Sequence, residues 1–374
     1  MPNQHSVLCI TPPYMLRQIV INGTPEQREF ALRSITISEQ FRGQRGAMTK
    51  DILAFMKPVT TEIKQRIVFD AKNGTQLPGT VVRQEGDPPV ADIAVNEAYD
   101  GSGVTYDMYY GVYSRNSIDN KGLRLDSTVH YNQGYDNAFW NGQQMVYGDG
   151  DEDMPESERL FNRFTIALDV IGHELTHGVT QYEANLVYWE QPGALNESMS
   201  DVFGSLVKQY QRQETADQAN WIIGEGLFTS NVNGVGIRSM KAPGTAYDDP
   251  VLGKDPQPAH MNNYVKTVED NGGVHINSGI PNHAFYVAAL GMGGYAWEKA
   301  GQIWYKTLTE KLTDRSTFQQ AADLTFEAAG ELYGVGSTEQ NAVKKGWVEV
   351  GINIGGSAPT GCLTVVLRAL GLTK

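Results

Sequence analysis

His173-Glu174-Leu175-Thr176-His177 is the stretch whose reading decides the fold. Around it, Phe164, Ala167, Leu168, Ile171, Leu175 and Val179 recur at helical spacing, which predicts a helix over 162–180. Residues four apart share one face of a helix, so the two imidazoles can hold one zinc ion. Glu174 sits about 100° further round, beside the metal rather than on it. The plain alternative is a helix with two hydrogen-bonded histidines. A zinc catalyst differs from it by needing three protein ligands and one open position.

The segment Asn196-Glu197-Ser198-Met199-Ser200-Asp201 supplies the missing groups. Glu197 and Asp201 are again four apart, on an otherwise apolar helix predicted over 196–210. Glu197 is the candidate third ligand. Asp201 is the candidate acceptor for the second ring N–H of a histidine ligand, which fixes its tautomer. His275 lies in Asp270-Asn271-Gly272-Gly273-Val274-His275, where glycines permit a tight turn and Asp270 can hold the imidazole protonated. Tyr188 is a candidate oxyanion donor. A lone His or Tyr is more often a packing residue, so these two rest on the company they keep.

The chain has 374 residues and a net charge of −13, which disfavours nucleic acid as a partner. Residues 1–49 differ, with five Arg against three Glu, and read as a separate unit docked on an acidic body. Thr24-Pro25 starts a helix there. Pro12-Pro13 marks a turn, and the glycine-rich 42–46 reads as an exposed linker. Residues 65–150 read as β-rich, with strands near 66–69, 80–83 and 128–131 and one helix near 104–115. The acidic 148–158 reads as a solvated surface loop. Helices follow over 279–291, 299–312, 316–333 and 338–349. Residues 355–374 read as a loose tail. The two cysteines, Cys9 and Cys362, give no disulfide framework. No apolar run reaches a membrane span, and the N-terminus lacks a standard secretory signal.

Taken together the chain resembles the thermolysin family of zinc metallopeptidases. The blocks that carry the resemblance span roughly 65–352 and keep the family's order. They are TYDMYYGVYSRNS, VHYNQGYDNAFWNGQQMVYGDGD, HELTHGVTQYEANLVY, GALNESMSDVFG, IRSM and DNGGVHINSG. Pro12-Pro13-Tyr14 is similar to the short pro-region of the protealysin-like subgroup. The resemblance implies an α+β, two-domain metallopeptidase: a β-rich N-terminal domain, a helical C-terminal domain, and the zinc helix at the cleft between them. The implied division is a pro-region 1–47, a β-rich domain 48–180, a helical domain 181–354 and a tail 355–374.

It also implies roles. His173, His177 and Glu197 hold zinc, and Glu174 is general base and acid. His275 and Tyr188 stabilise the oxyanion, Asp270 orients His275, and Asp201 supports His173. Asn137 and Ala138 bind extended peptide, Arg238 a substrate carbonyl. Val170 and Ile237, with Phe161, line the pocket after the scissile bond. The reaction implied is hydrolysis of protein and peptide substrates before bulky apolar residues, by a monomeric enzyme made as a self-processing zymogen; the resemblance implies secretion, while the lack of a standard signal leaves intracellular residence and another export route open. A bond such as Ala47–Met48 suits that processing.

The sequence departs from the family at its double calcium site. Lys208 stands where the bridging glutamate is expected, and Asn220 and Ile222 replace acidic residues, while Asp169 and Glu225 remain. Val235 replaces an aspartate of another calcium loop. Calcium is therefore expected to be absent from the double site. Cys9 has two readings, an inert packing residue or a thiolate capping zinc, of which packing is the commoner. Two other functions fit the same fold, a silent binding protein and a purely structural zinc site. The full catalytic set argues against the first and the lack of nearby cysteines against the second.

Overall fold

A computed structural model describes residues 8–47 and 63–355. Among them the first half builds a six-stranded sheet in the order β1-β5-β6-β4-β2-β3. The strands are β1 (Leu8–Cys9), β2 (Arg66–Asp70), β3 (Thr80–Gln84), β4 (Leu125–Val129), β5 (Ala138–Trp140) and β6 (Met145–Tyr147). β2 runs parallel to β4 and β4 parallel to β6, while β3, β5 and β1 pair antiparallel. Mixed pairing needs long connections, and the β3–β4 connection carries a helix, α3 (Ile93–Tyr113), packed on the sheet. It starts eleven residues before the sequence reading placed it, because Asp92 caps it, accepting from the Ala94 and Val95 amides. β4 also sits three residues earlier than expected. His130, just after it, has φ +53° and leaves the strand.

The second half is helical. α4 (Leu168–Tyr182) carries the histidines and α5 (Glu190–Arg212) carries Glu197 and Asp201. The predicted helix over 162–180 is broken: Phe164–Ile166 is a separate 3-10 turn. Two glycines let α4 and α5 approach. A Cβ on Gly204 would lie 2.4 Å from the Asp169 carbonyl oxygen, and one on Gly172 3.1 Å from the Gly204 Cα. That contact brings the two ligand-bearing faces together. The helices α6 (Asp270–Asn277), α7 (Gly279–Met292), α8 (Lys299–Lys306), α9 (Phe318–Tyr333) and α10 (Thr338–Glu349) follow. α8 ends in a π turn over Thr307–Lys311, and α9 begins with a Thr317/Gln320 capping box.

The N-terminal segment forms α1 (Pro13–Asn22) and α2 (Pro25–Ala47). Pro12 and Pro13 do not form a free turn; Pro13 is the first residue of α1, where a missing N–H costs nothing. Met15, Leu16 and Ile19 are buried in the main core. Arg17 pairs with Glu269 at 2.8 Å, and the Gln27 amide donates to the Glu158 carbonyl at 2.7 Å. The expected linker over 42–46 is instead the last part of α2. Each glycine there costs the helix about 1 kcal/mol, which the intervening helix-forming residues and the long helix before them outweigh. The tail, Cys362 and Met48 lie outside the described residues.

The acidic 148–158 stretch is the solvated loop expected only in part: Asp153 and Glu156 are exposed, but two carboxylates turn inward. Asp151 is buried and accepts from the Leu160 and Phe161 amides at 2.7 and 2.9 Å. Asp149 holds one nitrogen of His130 at 2.8 Å, and Asp92 holds the other at 2.7 Å. Composition marks the loop as acidic; it does not show that two of its carboxylates have inward partners.

Candidate active site

One turn of α4 places the His173 and His177 rings 4.5 Å apart, centroid to centroid. α5 brings Glu197 against both: its oxygens lie 3.6 Å from His173 Nε2 and 3.4 Å from His177 Nε2. Ligand atoms of all three residues lie within 4.8 Å of one another and all three side chains are buried. The outer atoms are satisfied. His173 Nδ1 meets Asp201 at 2.8 Å, and His177 Nδ1 meets Asn196 and Ser200 at 2.8 Å each. The inner atoms, His173 Nε2, His177 Nε2 and Glu197 Oε2, have no hydrogen-bond partner among the described residues. Buried polar atoms are rarely left so. Two nitrogens and a carboxylate oxygen converging on one point fit a zinc ion with an open position.

Asp201 does more than hold His173. Both its oxygens accept from Arg238, at 2.7 and 2.8 Å, and Oδ2 also accepts from Asn282 at 2.8 Å. Burial alone would raise this carboxyl. Arg238 and His173 outweigh it and hold it well below the usual range. Burial, reinforced by His173, pushes His177 well below its ordinary value, so the ring stays neutral, as a ligand must be.

Glu174 lies beside the cluster with one oxygen 3.0 Å from the Trp140 amide. Burial first, then the charge of Glu197, push its carboxyl well above the ordinary range. His275 is aimed by a left-handed turn: Asp270, Asn271, Gly272 and Gly273 all have positive φ. A Cβ on Gly272 would meet Glu190 Cγ at 2.6 Å. Asp270 accepts from the His275 backbone amide at 2.9 Å and meets its Nδ1 at 2.6 Å. Burial works against the charged ring, yet Asp270 and Glu197 raise its pKa. Tyr188 donates to Glu197 and stands 3.2 Å from His275 Nε2.

The cleft wall is β5, and residues 8–11 of the same chain lie along it. Ile10 donates to the Ala138 carbonyl at 3.2 Å. Thr11 donates to Asn137 Oδ1 at 2.9 Å, and Asn137 Nδ2 reaches the Thr11 carbonyl at 3.5 Å. Arg238 donates to the Ile10 carbonyl at 3.2 Å. Val170, Ile237 and Phe161 are fully buried in the same apolar cluster as Ile10. Cys9 belongs to a different cluster, with its sulfur 3.7 Å from Ser38 Oγ, so the thiol is not a zinc cap.

Next to the site, Lys208 Nζ lies 2.7 Å from Asp169, 2.5 Å from the Ile222 carbonyl, 3.4 Å from Asn220 and 3.6 Å from Glu225. The ammonium stands among these oxygens.

Sequence reading missed several partners. Asn196 and Ser200 flank Glu197 and carry a signal, since Ser200 is three residues on, along the same helix side. Asn282, 81 residues from Asp201, carries none. Nor did Ile10 stand out as the residue in the cleft.

Comparison with known proteins agrees with this geometry. Residues 56–181 match the family described as thermolysin metallopeptidase, catalytic domain, and residues 184–352 its alpha-helical domain. The chain is 50% identical over 355 residues to an extracellular metalloprotease of Pectobacterium carotovorum subsp. carotovorum, covering 93% of this chain and 97% of that one. It is 47% identical to protease PrtS of a Photorhabdus strain, over 92% of each. Among solved structures, the precursor of protealysin from Serratia proteamaculans is similar, at 53% identity and a TM-score of 0.82, covering 92% of this chain and 99% of that one. Among the described residues no helix is long and apolar enough to cross a membrane. With the zinc-ready triad on facing helices and both domain matches in place, the chain belongs to the thermolysin metallopeptidase family and is a metallopeptidase of its protealysin-like branch.

Proposed function

We propose that the chain is a zinc endopeptidase that cuts before bulky apolar residues and is made as a self-processing zymogen. The observation that carries this reading is the segment 8–11 in the cleft. Its backbone is held by Asn137, Ala138 and Arg238, the groups assigned to substrate, and its apolar Ile10 is fully buried in the main core to which Val170 and Ile237 also belong. Residues 1–47 are then the pro-region, 48–180 and 181–354 the two peptidase domains, and 355–374 a tail. Secretion is inferred from the extracellular relative, and the working unit is a monomer.

His173, His177 and Glu197 hold the zinc. When bound, zinc supplies a water acidified towards a pKa of about 7 and a positive charge for a developing oxyanion. Glu174 takes a proton from the attacking water and later passes it to the leaving amine, work typically worth about 10²–10⁴-fold. His275, held by Asp270, and Tyr188 donate to the oxyanion, each donor worth about 10²–10³-fold. Asp201 fixes the His173 tautomer. Lys208 replaces calcium at the double site, so calcium is not required.

The test is a time course on purified wild type and Glu174→Gln, with zinc content, intact mass and casein hydrolysis followed together. Wild type is expected to shed its pro-region and gain activity. The variant is expected to keep zinc, stay full length and lose at least about a hundredfold in turnover. A zinc-loaded variant that still cleaves well rules out Glu174 as the base.

A further inference from the structure

We propose that residues 8–11 lie in the cleft as a substrate in cutting register, and that the enzyme hydrolyses its own Cys9–Ile10 bond. This rests on the peptidase reading and adds a cleavage site to it. A scissile bond is defined by its two ends: the carbonyl oxygen meets the oxyanion donors, and the amide nitrogen meets the general acid. The Cys9 carbonyl oxygen lies 3.0 Å from His275 Nε2. The Ile10 N–H, at the other end, donates to the Ala138 carbonyl at 3.2 Å on the same strand whose Trp140 amide holds Glu174 at 3.0 Å. The carbonyl end of this bond is thus matched to an oxyanion donor, and the amide end is held on the strand that also holds the general acid.

The register leaves no neighbouring bond in that place. The Ile10 carbonyl is taken by Arg238, and the Thr11 amide by Asn137. Antiparallel pairing fixes the frame, with Leu8 opposite Trp140 and Cys9 opposite Phe139. A slip of one residue would put Ile10, now fully buried in the apolar cluster, on the opposite face. The residue after the cut is then isoleucine, a bulky apolar side chain. In the reaction, the water oxygen adds to the Cys9 carbonyl carbon and the C–N bond breaks. Cys9 ends as a carboxylate, and the Ile10 nitrogen, already bearing one hydrogen, takes both protons of the water by way of Glu174 and leaves as an ammonium group. Residues 10–47 remain docked through α1 and α2 and still joined to the enzyme, so this cut alone does not empty the cleft.

The full-length zinc-loaded chain is incubated with casein, and both intact mass and casein products are followed. The expected result in wild type is the 1–9 peptide, with a 10–374 species appearing before the rest of the pro-region is shed, and neither product in Glu174→Gln. Casein hydrolysis with the Cys9–Ile10 bond intact overturns the register and leaves the peptidase reading standing. No hydrolysis of either overturns both. A second readout needs no turnover. The sequence has one Cys-Ile pair, since Cys362 precedes Leu363. Carbonyl-¹³C cysteine with ¹⁵N isoleucine therefore reports this bond by a single resonance in full-length Glu174→Gln. Adding zinc, or replacing His275 by Ala, is expected to move it. A resonance that neither change moves overturns the proposal.

Discussion

The same two helices, α4 and α5, carry two buried ionic clusters that end differently. At one, His173, His177 and Glu197 turn three acceptor atoms inward and leave them without partners. At the other, one turn earlier on α4, Asp169 is met by the ammonium of Lys208, itself buried, with the Ile222 carbonyl and Asn220 around it. Both arrangements answer the same problem, that a carboxylate out of water needs a positive partner. The first is a donor set suited to a cation from solution. The second has one built into the chain. A third solution uses a proton: His130, between Asp149 and Asp92, is pushed up to about 9, by the hydrogen bond to Asp149 first, against the cost of burial. Dependence on an external ion thus turns on whether the sequence places a basic side chain among the acids.

The comparison is broken most severely by Lys208→Ala. It leaves Asp169 buried and unpaired, and a loss of about 3–5 kcal/mol is expected in urea unfolding. A loss below about 1 kcal/mol would show that the ammonium is not what closes this cluster. On the zinc side, Asp201→Asn keeps the shape and removes the charge behind His173. Zinc affinity is expected to fall about 10–100-fold, read by competition with a chelator; an unchanged affinity would detach Asp201 from the metal.

For His130 the sign follows from its raised pKa. Its contribution is full below the unfolded value near 6.5, and it is lost as pH rises through about 9. His130→Gln should therefore melt lower than wild type at pH 6, by an amount equivalent to about 2 kcal/mol after allowance for its partial exposure. The gap should close by pH 10, and a pH-independent gap would mean that packing, not charge, is lost. The smallest effect expected is none. A calcium-selective chelator should leave the wild-type melting temperature unchanged while zinc is kept saturating, and a fall on chelation would place calcium in this protein after all.

Much of the site is legible without coordinates. His173, His177, Glu197 and Asp201 fall into two i, i+4 pairs, and helix geometry alone puts each pair on one face. The helix over 338–349 agrees at both ends, because Ser337 caps it and its apolar positions repeat. What failed had contrary local signals. Residues 42–46 look like a linker because glycine favours turns, yet a helix already nucleated before them carries on. Asp151 looks solvent-facing by composition, yet two backbone amides draw it inward.

By itself the sequence marked the candidate metal ligands His173, His177 and Glu197 and the carboxylate of Glu174 beside them, since each pair depends on residue type and on spacings shorter than two helical turns, while the lysine among the acids came from the family resemblance. Only the tertiary structure decided which atoms of those residues stay unpartnered and how the N-terminus enters the cleft. Cys9 meets His275 across 266 residues, and Ile10 meets Arg238 across 228. Contacts at such separation leave no period in the chain; they come from packing two domains and a docked segment around one buried point.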